Sequence, residues 1–79
     1  MLIAQMDMKA LRERARLSAE ETAFRLGVAH STVRNWESGK TEPSLGVTKL
    51  GELIDLYQCS FDELRQAVVE SRKKNPAMS

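Results

Sequence analysis

Cysteine, histidine and tryptophan each occur once in this 79-residue chain. A lone Cys59 cannot close an internal disulfide, which suits a reducing compartment and sets the expectation of a cytoplasmic protein. It also has no second cysteine within ligand spacing and stands far from His30, so neither metal nor cofactor is expected. The same scarcity argues against an enzyme, because no nucleophile–base pair can be assembled and no carboxylate pair stands out from a solvated surface. Two Phe, one Trp and one Tyr are all the aromatics, so a core must be built from Leu, Val, Ile and Ala. No apolar run approaches the roughly 20 residues of a membrane span. The start, MLIAQMDMK, carries Asp7 and no basic n-region, so no signal peptide is expected. This length allows one domain of modest burial, which dimerisation would help to stabilise.

Charge of one sign is also nearly missing. The formal net charge is +1, which taken alone speaks against a nucleic-acid partner. Its distribution is uneven. Residues 1–40 carry +2, residues 41–70 carry −4 and residues 71–79 carry +3. Such a gradient would orient the chain on a polyanion. A solvated mixed surface is the plainer reading of the same pattern.

What is present is helical periodicity. Residues 1–6 lack a pattern and are read as a flexible start. Asp7 caps a first helix to Arg16, with Met8, Leu11 and Ala15 as its buried stripe. Ser18 and Glu21 have capping-box spacing ahead of a second helix, Ala19 to Leu26, which Gly27 ends. A third helix covers 29–38, with Val33 and Trp36 on its apolar face, and Gly39 stops it. Two short helices across a glycine turn make a helix-turn-helix. The polar face of the third helix collects His30, Ser31, Arg34 and Asn35, groups able to hydrogen-bond base edges in a DNA major groove. For His30 alone, an ordinary surface histidine is the competing reading. Residues 42–46 connect to a fourth helix, Val47 to Tyr57, whose stripe is Leu50, Leu53, Ile54 and Tyr57. Cys59 is read as a small buried hydrophobe in the turn that follows. Ser60 and Glu63 repeat the capping-box spacing before a fifth helix, Phe61 to Arg72. Its inward face is Phe61, Leu64, Ala67 and Val68, with Val69 off the stripe. The domain is placed at 7–73 and a disordered tail at 74–79.

Leu17-Ser18, Ala23, Leu26-Gly27-Val28, Ser31-Thr32-Val33, Trp36-Glu37-Ser38-Gly39-Lys40 and Pro43 together resemble the phage-repressor-like helix-turn-helix family, the Cro/C1 or XRE type. The resemblance extends from about Leu11 to Leu64. It implies an all-α, five-helix, lambda-repressor-like DNA-binding domain whose second and third helices form the helix-turn-helix. It implies base contacts from His30, Ser31, Arg34 and Asn35, and phosphate contacts from the Ala19 amide, Thr32, Ser38, Lys40 and Thr41. It further implies an Arg12–Glu37 ion pair joining the first helix to the recognition helix and turning the guanidinium toward a phosphate. Pairing of last helices in stand-alone members makes Phe61, Val68 and Val69 the candidate dimer interface.

Three positions depart from the family pattern. Thr22 replaces an apolar residue and must find a backbone carbonyl if it is buried. Ala19 replaces a phosphate-bracing glutamine, leaving only the backbone amides of the helix start. Phe24 occupies a usually polar position, where it is incidental, fills space beside Thr22, or meets a partner. The leading expectation is a sequence-specific transcriptional regulator, a repressor that binds double-stranded DNA as a homodimer. The alternative is an antitoxin-like or adaptor protein–protein module that keeps the fold with weak or no DNA binding.

Overall fold

The computed structural model describes residues 6–74. The flexible start and disordered tail expected for 1–6 and 74–79 lie outside them, save for two residues. Met6 packs half-buried against the core, and Lys74 forms an ion pair with Asp7.

Five helices follow in order: α1 (Met8–Arg14), α2 (Ala19–Leu26), α3 (His30–Ser38), α4 (Val47–Tyr57) and α5 (Phe61–Arg72). Among the described residues there is no strand. The fold is all-α and lambda-repressor-like, with α2 and α3 as the helix-turn-helix. Local chemistry sets most starts. Asp7 accepts from the Ala10 amide at 2.9 Å, and Ser18 accepts from the Glu21 amide at 2.9 Å. Ser60 and Glu63 close a full capping box. The Ser18 box is only half made, because the Glu21 carboxylate turns to Arg25, 3.0 Å away.

Four helices stop the same way. In each, two bonds close the last turn around one left-handed residue, as Leu17 N to Arg12 O and Arg16 N to Glu13 O do for α1. The left-handed residues are Arg16, Gly27, Gly39 and Gln58. Arg16, at φ 63°, therefore lies beyond α1, which is two residues shorter than its periodicity predicted. Ala15 caps the helix and is half-buried, not part of a continuous stripe.

Met8, Leu11, Ala23, Leu26, Val33, Trp36, Leu53, Tyr57, Leu64 and Ala67 form the core. Two polar residues lie fully buried with them. Thr22 donates its hydroxyl proton to the Ser18 carbonyl at 3.0 Å, which removes the penalty of placing a threonine there. Ser71 accepts the Met8 amide at 2.9 Å, so α5 caps α1 across 63 residues of sequence. Lys49 of α4 donates to the Leu26 carbonyl at 2.5 Å and thus ties off the end of α2. Two expectations need correction. Phe61, at the first turn of α5, is 54 % exposed and not inward-facing. Cys59 is half-buried, with burial raising its thiol pKa and Glu63 adding to the rise.

Candidate nucleic-acid interface

α3 begins without a side-chain cap, since Ala29 has none to offer. The Thr32 amide bonds the Ala29 carbonyl at 3.0 Å, while the His30 and Ser31 amides stay open at the end of the helix where partial positive charge gathers. His30 and Ser31 sit in that first turn and are exposed. Arg34, one turn on, is exposed and its Nε lies 3.4 Å from His30 Nε2. Asn35 is half-buried beside it. Val33 and Trp36 point the other way, into the core. One amphipathic helix thus holds its fixed face and its free face in register.

The free face borders a concavity of about 640 Å³. His30, Arg34, Asn35 and Ser38 form one wall, and Ser18, Ala19 and Glu20 at the start of α2 form another. Lys9, Arg12, Glu37 and Lys74 complete it. Cations outnumber carboxylates on this lining, although Glu20 opposes an anion there.

Arg12 and Glu37 meet in this lining. Arg12 donates to the two Glu37 oxygens at 2.5 and 3.2 Å, and to the Leu17 carbonyl at 2.8 Å. The two side chains are only 11 % and 9 % exposed. Hydrogen bonding to Glu37 raises the Arg12 pKa, and burial only partly opposes it. A guanidinium engaged on three sides fixes α1 to α3 but is poorly placed to turn toward a phosphate as well.

The loop after α3 folds back on the helix. The Asn35 carbonyl accepts from the amides of Lys40 at 3.0 Å and Thr41 at 3.3 Å, and from the Ser38 hydroxyl at 3.2 Å. Lys40 and Thr41 are exposed. The Ser38 proton is committed to its own helix, so that hydroxyl must rotate before it can reach a phosphate. Thr32 is half-buried and Ala19 is 8 % exposed, its backbone at the concavity edge. Gly39 is buried at φ 80°, and a Cβ there would strike the Ser71 carbonyl. Its backbone freedom lets the loop lie directly on the end of α5.

A helix-turn-helix family model matches residues 8–64, most of the chain. The chain belongs to the Cro/C1-type (XRE) helix-turn-helix family. Members of this family are DNA-binding regulators and typically not enzymes. The match runs from the first residue of α1 into the first turn of α5, so the rest of α5 lies beyond it. No curated protein and no solved structure shows a significant match. Among the described residues, no helix is long and apolar enough to cross a membrane.

Phe61, Val68 and Val69 come together in a second, smaller concavity of about 250 Å³ with Leu64, Leu50 and Pro43. Arg72 and Glu42, paired at 2.5 Å, also line it. Phe24 is 86 % exposed, so it does not fill space beside Thr22. Sequence reasoning missed Lys9, Lys49 and Ser71. Ser71 acts through a partner remote in sequence, and Lys9 lines a concavity whose other walls come from elsewhere in the chain. Lys49 signalled only that a cation followed a helix start. Tyr57, expected in the core, is fully buried with its hydroxyl unpaired. Burial pushes that hydroxyl's pKa up to about 12; the neighbouring Thr22 offsets part of the rise without making a well-formed hydrogen bond.

Proposed function

We propose that this family member is a sequence-specific transcriptional regulator that lays α3 in the major groove of double-stranded DNA. The carrying observation is the exposed row of His30, Ser31 and Arg34 on a helix whose other face is locked into the core. Arg34 matches the acceptors of guanine, and Asn35 matches adenine in a two-bond contact. The Ala19 amide, Thr32, Lys40 and Thr41 supply phosphate contacts, with Ser38 joining after rotation; such contacts set register and affinity. The domain at 7–73 acts as one unit in the cytoplasm. Repression by occupying a promoter is the simplest consequence of such binding.

One recognition helix reads too few base pairs for a genome, so two copies must act together. A homodimer would place two α3 helices about one helical turn apart. The α5 concavity with Phe61, Val68 and Val69 supports pairing through that face. The deciding experiment selects bound duplexes from a random library and repeats the titration with Arg34→Ala/Asn35→Ala. Loss of discrimination with an unchanged circular-dichroism spectrum is the expected result. Unaltered discrimination refutes the assignment.

The exposed Phe24 and Val47 favour a second reading, a protein–protein module that keeps the fold. Binding to random-sequence DNA at low salt separates the two, because a module without DNA affinity shows none.

A further inference from the structure

Lys9 and Lys74 stand near opposite ends of the described chain, yet both line the concavity beside α3. The fold brings them together by specific bonds. Ser71 accepts the Met8 amide, one residue before Lys9. Lys74 pairs with Asp7, the cap of α1. The Asp7 carboxyl is penalised by burial, but Lys74 and the Ala10 amide outweigh this and hold its pKa below the ordinary value. Gly39, between the Ser38 and Lys40 phosphate candidates, rests on the Ser71 backbone. The last turn of α5 is therefore wedged between the start of α1 and the loop after α3.

The cations here are not equivalent. Arg12 is engaged by Glu37 and Leu17. Among the described residues Lys9 is exposed and in no ion pair. Lys74 keeps 49 % of its side chain exposed despite Asp7. Lys73, its neighbour in sequence, does not line the concavity and pairs instead with Glu70 at 3.2 Å. One lysine without an ion pair and one half-exposed lysine held by Asp7 thus flank a depression whose other wall is the proposed base-reading helix.

We infer that Lys9 and Lys74 grip the phosphodiester backbone of the duplex whose bases face α3, Lys74 exchanging Asp7 for a phosphate. This rests on the DNA-binding reading above and adds to it a contact made by the two ends of the domain. It raises affinity for every sequence alike, because phosphates carry no base information.

The test is a salt titration of the full chain on a selected duplex and on a random one, followed by fluorescence anisotropy. Each phosphate contact contributes about 0.9 to the slope of log K against log salt. Lys9→Ala and Lys74→Ala should each lower the slope by about one and the pair by about two. The preference for the selected duplex should stay constant, and Lys74→Arg should restore the slope. Lys73→Ala should leave it unchanged. Unmoved slopes in both alanine variants with native circular-dichroism spectra overturn the inference, as does an equal effect from Lys73→Ala. If the unaltered chain binds neither duplex at low salt, the DNA-binding reading itself falls.

Discussion

Replacing Glu37 by Ala should be among the most damaging single changes to this domain. With Glu37 in place the Arg12 side chain is only 11 % exposed, and the substitution leaves its guanidinium with only the Leu17 carbonyl as partner. Removing one member of a buried pair typically costs about 3–5 kcal/mol, because the remaining charge is uncompensated. The surviving bond to Leu17 and the long arginine stem place the expected loss near the low end, about 3 kcal/mol. A domain of this size has of order 4–12 kcal/mol in total. With a urea slope of about 1 kcal/mol per molar, the unfolding midpoint should fall by about 3 M. Two controls separate pairing from burial. Asp62→Ala, which removes the exposed partner of Arg65, should cost less than about 0.5 kcal/mol. Arg12→Met with Glu37→Leu should recover most of the loss, since apolar side chains of similar size need no partner. A Glu37→Ala loss below about 1 kcal/mol would refute the reasoning. The pair would then be solvated in solution, and α3 would be held to α1 by packing alone.

Three further outcomes follow from the geometry. Gly39→Ala should cost at least about 2 kcal/mol and Gly27→Ala about 1 kcal/mol. Both glycines have left-handed φ, but only at Gly39 does the new methyl meet backbone; at Gly27 it meets the flexible end of Lys49. Equal losses by chemical denaturation would contradict this. Tyr57 should make the fold alkali-sensitive. Its neutral phenol is favoured in the folded state, so this stabilisation is complete below the ordinary pKa of 10.0 and is lost as pH rises toward about 12. The difference is about 2–3 kcal/mol. Tyr57→Phe should abolish this pH dependence and cost little at neutral pH, because the hydroxyl has no partner to lose. Gln58→Gly should stabilise slightly, by about 0.5 kcal/mol, because relief of the φ 53° conformation exceeds the added chain entropy. A thermal unfolding midpoint lower than that of the parent chain would refute it.

Helix positions were legible wherever a residue announces its role locally. Gly27 and Gly39 marked two ends, and Ser18 and Ser60 marked two starts. Arg16 did not announce an end, because an arginine in the left-handed region carries no compositional signal; α1 was overextended for that reason. The Arg12–Glu37 pair was reachable only through family resemblance, since no periodicity connects α1 to α3. A buried Thr22 needs a carbonyl, and its partner lies only four residues away, within reach of a local reading. Ser71 was invisible, because its partner amide lies 63 residues back. The polar row on α3 could be read from helical spacing. The walls that complete its concavity could not, because Lys9 and Lys74 become neighbours only after α5 closes on α1.

The Ser71–Met8 bond has a bearing on synthesis. A ribosome builds the chain from Met8 toward Ser71, so the amide at the start of α1 is left to water until 63 further residues have been made. Nascent chains that have exposed only α1 to α4 still lack the strut beneath Gly39. The loop after α3 therefore gains its seat only once α5 has closed, and a protease that clips the last turn of α5 would unseat that loop without touching a single residue of α3.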